Sequence, residues 1–327
     1  MNGRPEERGA ALLSVLLLVA VMAVLAAAGL EKLRLSTHLA ANGAAIDQAR
    51  AYSQAAEAIA LVRIESLLEN DAAVTTLAGG WHGRTVDLPL PGGRAQLRVT
   101  DGGNCFNLNS LVSGSAEGRT QANPVAAAQF KALMELIEIP PAVAQRIAAA
   151  ANDWIDSDQV AQPGGAEDEY YGDLASPYLA ANVPVQDVSE LRVMAGVTPE
   201  IYERLRPWVC ALPDHELSPI NVNTLSPEQA PLFAMLLPGR LDLVTARKML
   251  AQRPAQGYES LVRFWAVPAL EALNPGQQVT EQTKLKTRWF TLDITIGLGR
   301  TELHETALVD GGLRPARLVR RQWGYPE

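Results

Sequence analysis

The sequence predicts an α+β protein in which a long N-terminal helix and an antiparallel sheet are interrupted by a large, mostly helical insertion. Residues 10–70 have a helical pattern, and short alternating runs that read as strands occur both before and after the middle of the chain. The middle is rich in Ala, Leu and Glu and has helix starts marked by proline. The predicted divisions are a leader at 1–9, a transmembrane helix at 10–30, a helix with a split antiparallel sheet at 31–107 and 278–327, and an inserted helical domain at 108–277 with two parts, 108–212 and 213–277.

Composition excludes several classes of protein. The chain has 327 residues, with 28 Lys and Arg against 36 Asp and Glu, so its net charge of −8 disfavours general nucleic-acid binding. Two cysteines are too few for a disulfide-dense scaffold or a four-thiolate zinc site. The sequence contains no HExxH, GxSxG or GxxxxGKS motif, and its four histidines are far apart. We therefore expect a protein that is not an enzyme.

The N-terminal segment Ala10–Leu30 is uncharged over 21 residues. As a helix it would be about 31 Å long, enough to cross a bilayer core. It is longer than the apolar part of a typical signal peptide, which has about 7–15 residues. Two other readings stay open on this pattern: cleavage of a signal peptide after Ala28, and a plain signal anchor with a helical stalk that continues to about Asn70.

The residues before this segment resemble a type IV prepilin cleavage site. The run Arg8-Gly9-Ala10-Ala11-Leu12-Leu13 carries the resemblance. It implies that a membrane-embedded peptidase cuts between Gly9 and Ala10, that the new N-terminus is methylated, and that the apolar helix is kept. Arg4 and Arg8 agree with a cytoplasmic N-terminus and therefore with a periplasmic C-terminal domain.

The fifth position of the implied mature chain is Ser14, where most members of this superfamily have Glu. In that superfamily the Glu pairs with the α-amine of the subunit ahead of it. A subunit with no other subunit ahead of it therefore has no partner for this buried charge. Together with the large size, this departure resembles the K class of type II secretion minor pseudopilins. The resemblance implies a pilin-like fold and a place at the tip of a periplasmic pseudopilus anchored in the inner membrane.

The same resemblance implies a set of partners and a role in starting assembly and supporting protein export. The implied partners are I-class and J-class minor pseudopilins, other pseudopilins, the prepilin peptidase and the inner-membrane secretion platform. Two alternatives from other classes are a minor pilin of a type IV pilus, with adhesion or DNA uptake as its task, and a calcium-dependent enzyme on a signal anchor.

Strand signals occur in two groups. Period-2 alternation and β-branched residues mark five runs: 84–88, 94–100, 289–296, 301–309 and 317–323. Since the second group returns only after the helical region, the simplest topology is one sheet split by the insertion.

An internal repeat marks the insertion. The run Asn107-Leu108-Asn109-Ser110-Leu111 recurs as Asn221-Val222-Asn223-Thr224-Leu225. The second copy leads through Ser226-Pro227-Glu228, a strong helix start, into a unit that resembles helix-hairpin-helix or SAM-like domains. DNA binding is disfavoured because the turn at 237–240 reads LPGR rather than Gly-x-Gly, so we expect a compact helical spacer.

Residues 147–191 contain nine acidic residues and no Lys, Arg or His. Carboxylates without His or Cys suit calcium rather than zinc or copper, while a solvated acidic surface is the simpler alternative. Asp156, Asp158 and Glu167 fit positions of an EF-hand loop, but Val160 and Ala161 do not, so the segment is not an EF-hand. The runs D-W-I-D-x-D and A-E-D-x-Y-Y resemble the K-class calcium-binding segment. The predicted calcium ligands are Asp156, Asp158, Glu167 and Asp168, with Asp153 and Asp173 as further candidates.

Cys105 and Cys210 lie outside the membrane in the predicted topology. An oxidising periplasm favours a disulfide between them, and two unrelated buried thiols are the alternative. The bond would join the entrance of the insertion to the end of its first part.

Overall fold

The computed structural model describes residues 5–114 and 120–324, with side-chain surroundings from residue 12 onward. The predicted leader therefore lies partly outside the described residues. Gly9 and Ala10 are described only as helical backbone, so the structure gives nothing on the surroundings of the predicted cleavage position.

One helix, α1, spans Pro5–Asn70 without interruption. Its part from Leu12 onward contains a stretch of mean hydropathy 2.7 of which nothing is buried inside the protein. By length and composition this helix can cross a membrane, as the uncharged segment predicts.

The strands are short in the middle of the chain and longer toward its two ends. In chain order the strands are β1 (Thr85–Leu90), β2 (Gly93–Asp101), β3 (Phe106–Asn107), β4 (Val112–Gly114), β5 (Thr120–Ala122), β6 (Val209–Cys210), β7 (Ile220–Asn221), β8 (Thr283–Lys284), β9 (Trp289–Leu298), β10 (Thr301–Asp310) and β11 (Arg317–Trp323). The helices after α1 are α2 (Pro124–Leu136), α3 (Pro141–Ile155), α4 (Asp168–Gly172), α5 (Pro199–Leu205), α6 (Ala230–Ala234), α7 (Leu243–Ala251), α8 (Leu261–Trp265), α9 (Pro268–Glu271) and α10 (Gln277–Gln282).

The main sheet has five antiparallel strands in the order β1-β2-β9-β10-β11. Its central strand β9 pairs with β2 on one side and with β10 on the other, so residues almost 200 positions apart, such as Leu97 and Ile294, are direct partners. All five strands fall on the five predicted runs, and their ends differ from the predicted ones by at most two residues. The predicted α+β fold class is confirmed.

Helix α1 packs on one face of this sheet through a stripe of small and branched side chains. Ala49, Ala56, Ala60, Ile64 and Leu68 recur at helical spacing and are buried. The sheet meets them with alternate residues of its strands, among them Leu97, Phe290, Leu292, Ile294, Ile296 and Val309. Alanine on the helix lets its backbone approach the sheet closely, so this core combines small helical and large strand residues.

The insertion occupies the chain between the end of β2 and the start of β9, and it forms two units in sequence order. The first is closed by parallel pairing of β3 with β6, and the second by parallel pairing of β7 with β8. The predicted boundary at 277/278 falls at the start of α10, and the chain returns to the main sheet only at Trp289. Residues 283–284 pair with β7 of the second unit rather than with the sheet, so the second unit extends beyond residue 277.

The repeated Asn motif supports the polypeptide at the start of each unit. The side chain of Asn109 accepts the Val185 N–H at 2.7 Å and donates to the Leu212 carbonyl at 2.8 Å. In the second unit, Asn223 accepts the Tyr258 N–H at 2.7 Å and donates to the Tyr258 carbonyl at 2.9 Å. All of these amides are buried, so the motif satisfies backbone groups of loops that would otherwise lack partners.

The predicted disulfide between Cys105 and Cys210 is present, with the two Cα atoms 5.8 Å apart. It lies beside the pairing of Asn107 with Cys210 and therefore closes the first unit where that unit leaves the main sheet.

Candidate functional site

The acidic loop connects two helices whose ends are fixed by packing. Helix α3 ends at Ile155, and the short helix α4 begins at Asp168, so the loop spans residues 156–167. Trp154 at the end of α3 meets Tyr171 of α4 in an edge-to-face contact with ring centroids 5.3 Å apart. This contact brings the first and last residues of the loop together.

Three carboxylates converge where the loop begins and ends. Asp156, Asp158 and Glu167 each contribute one oxygen, and these oxygens all lie within 4.8 Å of one another. Asp156 and Glu167 are only 4% and 5% exposed, while Asp158 is exposed to solvent. Two of the three negative side chains are therefore withdrawn from water.

The buried oxygens of this cluster lack protein partners. Among the described residues, Asp156 Oδ1 and both carboxylate oxygens of Glu167 accept no hydrogen bond. Burying an ionised group without a partner is unfavourable. Burial, and then repulsion by Asp158 and Asp153, raises the pKa of Asp156 to about 7. Burial, and then repulsion by Asp153 and Asp156, raises the pKa of Glu167 to about 7.

Asp153 forms hydrogen bonds with the loop backbone, unlike the three converging carboxylates. Its buried carboxylate accepts the Ala166 N–H at 2.8 Å and the Gln162 N–H at 3.2 Å. A Cβ atom at Gly165 would overlap Asp153 Oδ2, so glycine is required at that position. Asp153 thus shapes the loop from within, and its oxygens are already engaged. Burial raises the pKa of Asp153.

The other two candidate ligands are not among the residues whose oxygens lie within 4.8 Å of one another. Asp168 accepts hydrogen bonds from the Gln159 side chain and from the Ala180 N–H, both at 3.0 Å. Asp173 is exposed after the end of α4. Of the six acidic candidates, the geometry therefore assembles Asp156, Asp158 and Glu167.

Sequence reasoning missed the neutral side chains that hold the loop. Gln162 donates to Asn152 Oδ1 at 2.7 Å, and Asn152 in turn donates to the Leu111 carbonyl at 2.8 Å. The amides carry no charge and follow no metal-ligand spacing. The only available signal was their position beside the acidic residues.

The chemistry of the donor set fits calcium. Calcium takes six to eight oxygen ligands and tolerates irregular geometry, and here hard carboxylate oxygens converge without imidazole or thiolate. A divalent cation would supply the positive charge that the buried carboxylates lack.

These features together define a class of protein. A helix that can cross a membrane packs on a five-stranded antiparallel sheet, and a helical domain with a convergent acidic site is inserted between the strands. This is a pilin-like subunit that carries a large inserted domain.

Comparison with known proteins identifies the family. Family models described as type II secretion system (T2SS), protein K, match residues 104–214 and 220–286. Type II secretion system protein K of Klebsiella pneumoniae is 35% identical over 99% of this chain and 98% of the relative. The protein of the same name from Pectobacterium carotovorum subsp. carotovorum is 32% identical, with 98% of each chain covered.

A solved structure agrees with the sequence relatives. The crystal structure of the GspK-GspI-GspJ complex from the enterotoxigenic Escherichia coli type 2 secretion system contains a chain that superposes with a TM-score of 0.74 and 31% identity, covering 85% of this chain and 96% of that chain. The chain described here belongs to the type II secretion system protein K family. Its function is that of a minor pseudopilin, a structural component of type II secretion.

Proposed function

We propose that this subunit caps the periplasmic pseudopilus, starts its assembly with I-class and J-class minor pseudopilins, and thereby supports protein export across the outer membrane. The observation that carries the proposal is where the insertion is attached. It leaves the sheet at Asp101 and returns at Trp289, at the end of the sheet beside Leu68, the last buried residue of α1. The inserted domain is therefore attached at the end of the molecule farthest from the apolar segment.

This attachment would let the inserted domain cap the pseudopilus by its shape alone. A subunit whose α1 joins a bundle of similar helices would present its inserted domain above that bundle. The domain leaves little room for a further subunit on top. Ser14 in place of Glu fits the same position, because a terminal subunit has no α-amine ahead of it to pair with a buried carboxylate. The solved complex of a relative with GspI and GspJ supports the choice of partners.

An end-specific label tests the capping proposal. A tag fused after Glu327 should be detected by immunogold microscopy at one end of each isolated pseudopilus. Labels spaced along the fibre would contradict capping. Labels at neither end, in fibres that contain the other minor pseudopilins, would contradict it as well.

Processing at the inner membrane is part of the proposal. The apolar helix is retained as a single membrane pass with a cytoplasmic N-terminus, after the prepilin peptidase cuts between Gly9 and Ala10. N-terminal sequencing of the membrane-extracted protein should find a methylated Ala10. A start at Met1, or just after Ala28, would reject this processing.

We further propose that calcium, held by Asp156, Asp158 and Glu167, keeps the inserted domain in its folded shape. The support is the set of buried, unpartnered carboxylate oxygens in the described loop. A bound cation would allow these carboxylates to stay ionised at neutral pH, and it would tie the end of α3 to the start of α4.

Chelation tests the calcium proposal on the full chain in detergent. Removing calcium should lower the unfolding midpoint and expose residues 156–167 to protease, because the buried negative charges then lose their counter-charge. Asp173→Asn is the matched control, since it removes one nearby exposed charge and should leave the calcium response intact. An unchanged midpoint together with unchanged protease resistance would contradict the proposal.

A further inference from the structure

The inserted domain and the sheet body, by which we mean α1 with the five-stranded sheet, have separate apolar cores. The core of the insertion runs through both of its units, and none of its described residues belongs to the core between α1 and the sheet. Among the described residues, the two parts share one small apolar cluster, made of Leu212, Trp289 and Leu308. Two domains in contact move relative to each other unless their interface is large and apolar.

One side of the junction is held by buried hydrogen bonds. Asn221 donates to the Thr75 carbonyl at 3.2 Å and to the Thr287 hydroxyl at 2.9 Å. Asn104 accepts the Asn221 N–H at 2.8 Å and donates to the Thr224 hydroxyl at 2.8 Å. All five residues are buried, so breaking these bonds would leave polar groups without partners. This side, which we call the pivot, fixes the second unit to the chain that follows α1 and to the chain that follows β2.

The other side of the junction, where the first unit faces β10 and β11, contains open space. Cavities of about 270 Å³ and about 510 Å³ lie between the first unit and these strands. Ala211 of the first unit and Arg320 of β11 line both cavities. Protein interiors are close-packed and leave few voids of this size. The first unit therefore rests on the strands without packing tightly against them.

Three hydrogen bonds cross this open side. The guanidinium of Arg320 donates to the Gln186 carbonyl and, at 2.9 Å, to the Ala211 carbonyl. The side chain of Gln322 donates to the Asp187 carboxylate. Gln186 and Gln322 are exposed, so water can replace their bonds when they break. We call these three bonds the latch.

We propose that the inserted domain tilts as one body about the pivot, and that the latch closes it onto the sheet. The two units share one core, so they move together, and the tilt changes the distance between the first unit and β11. The small cluster around Trp289 is the apolar contact that opening disturbs. Such a junction lets the domain change its angle over α1 while both cores stay intact. This inference concerns motion and depends neither on capping nor on calcium.

Pulsed electron paramagnetic resonance on the full chain in detergent measures the tilt. A spin label at Arg317→Cys on β11, paired with one at Leu179→Cys on the first unit, reports the distance across the latch. Pairing Arg317→Cys with Val262→Cys reports the second unit, and pairing it with Asp87→Cys on β1 reports the sheet alone. All four positions are exposed. The two native cysteines form the disulfide and do not take a label.

The latch is broken by Arg320→Met, which keeps an unbranched side chain and removes the donors. We expect the population with a longer distance between the first unit and β11 to rise about tenfold, on the scale of losing one or two hydrogen bonds to a charged group. Gln322→Ala, which removes one bond, should give a smaller rise. Arg98→Met is the matched control, because it breaks the 3.0 Å ion pair with Asp293 within the sheet and leaves the latch intact.

The three label pairs make the inference falsifiable. If Arg320→Met leaves the distance between the first unit and β11 unchanged, the latch is wrong. If the distance to Val262→Cys lengthens as much as the distance to Leu179→Cys, the domain detaches and the pivot is wrong. If the pair within the sheet changes as well, Arg320 supports the sheet itself and the inference is likewise wrong. Lengthening confined to the first unit would support it, whatever the immunogold and chelation experiments show.

Discussion

Glu305 and Glu57 are two buried carboxylates between α1 and the sheet that share one cation. Arg321 donates two hydrogen bonds to Glu57, and its Nε atom lies 3.4 Å from Glu305 Oε1. Ser53 on α1 donates to the second oxygen of Glu305 at 2.6 Å. Burial, and then the neighbouring Glu57, raises the pKa of Glu305 to about 7, while the hydrogen bonds from Arg321 hold the pKa of Glu57 below its usual value despite burial. The guanidinium of Arg321 stabilises the ionised form of Glu57, whereas Glu305 is more stable in its protonated form.

The raised pKa of Glu305 predicts a pH dependence of stability. Between its ordinary pKa of 4.5 and about 7, the folded state holds a proton that the unfolded chain releases. The free energy of unfolding therefore falls as pH rises through this window. Replacing Glu305 by Gln removes that titration and keeps a polar side chain beside Ser53. We expect Glu305→Gln to raise the unfolding midpoint at pH 8 by on the order of a few °C, with little change at pH 5.

Thermal unfolding at both pH values, in chelator so that calcium does not contribute, measures this effect. Glu65→Gln is a suitable control, because Glu65 is a carboxylate of α1 that faces the sheet side and accepts a hydrogen bond from the Ala316 N–H just before β11. An equal shift at pH 5 and pH 8 for Glu305→Gln would show that the proton is not involved.

At the scale of elements, the disulfide and the repeated Asn motif both stabilise the start of a unit of the insertion. Cys105 precedes β3 and Cys210 ends β6, so the covalent bond closes the unit that the two strands also close. The motif begins at the last residue of β3 in the first unit and of β7 in the second, and its side chains form hydrogen bonds with backbone groups of the loops. The first unit is therefore closed both by the disulfide and by the hydrogen bonds between β3 and β6. In the second unit β7 and β8 pair without a disulfide, as no further cysteine exists in the chain.

We predict that loss of the disulfide destabilises the first unit more than the second. The bond closes a loop with a sequence separation of 105 residues. For a loop of that length, the chain-entropy model gives about 4–5 kcal/mol of stabilisation. The double variant Cys105→Ala/Cys210→Ala should unfold at a lower temperature, and hydrogen exchange should increase first around β3 and β6. Exchange that increases equally in β7 and β8 would contradict a local role for the bond.

For the whole molecule, Asp101 is the point where the sheet and the insertion are joined. It ends β2, is buried, and accepts hydrogen bonds from the Thr224 and Thr287 hydroxyls and from the Gly103 N–H. Thr224 belongs to the second unit and Thr287 to the chain returning to β9. Burial raises the pKa of Asp101, and the hydrogen bonds oppose that rise. One carboxylate therefore links the departing chain, the returning chain and the inserted domain.

Removing this carboxylate should uncouple the two parts. We expect Asp101→Ala to lower the free energy of unfolding by about 3 kcal/mol, because it leaves the Thr287 hydroxyl and the Gly103 N–H without their acceptor in a buried place, while the Thr224 hydroxyl keeps only the Asn221 carbonyl at 3.1 Å. Asp101→Asn, which keeps one acceptor oxygen, should lose less. Calorimetry would detect the uncoupling as separation of a single transition into two. A single transition at the wild-type midpoint for Asp101→Ala would contradict it.

Helix α1, the five strands of the sheet and the helix start at Ser226 were predictable from the sequence because their signals are local. The buried residues of α1 from Ala49 to Leu68 recur with a helical period, and β9 alternates with a period of two. Ser226, predicted as a helix start, forms a capping box with Gln229. The boundary at 277/278 was not predictable, because the two-residue strand β8 has no pattern of its own and is defined by its partner β7.

The candidate site shows the same division. The sequence by itself determined the long apolar helix, the α+β class, the family resemblance and the acidic composition of the loop, all of which depend on residues near one another in the chain. Only the tertiary structure decided that Asp156, Asp158 and Glu167 converge in a group that does not include Asp153, Asp168 or Asp173, and that Glu305 meets Glu57. The physical reason is that the direction of a side chain in an irregular loop, and its distance from residues in other segments, depend on packing and hydrogen bonds that no local spacing encodes.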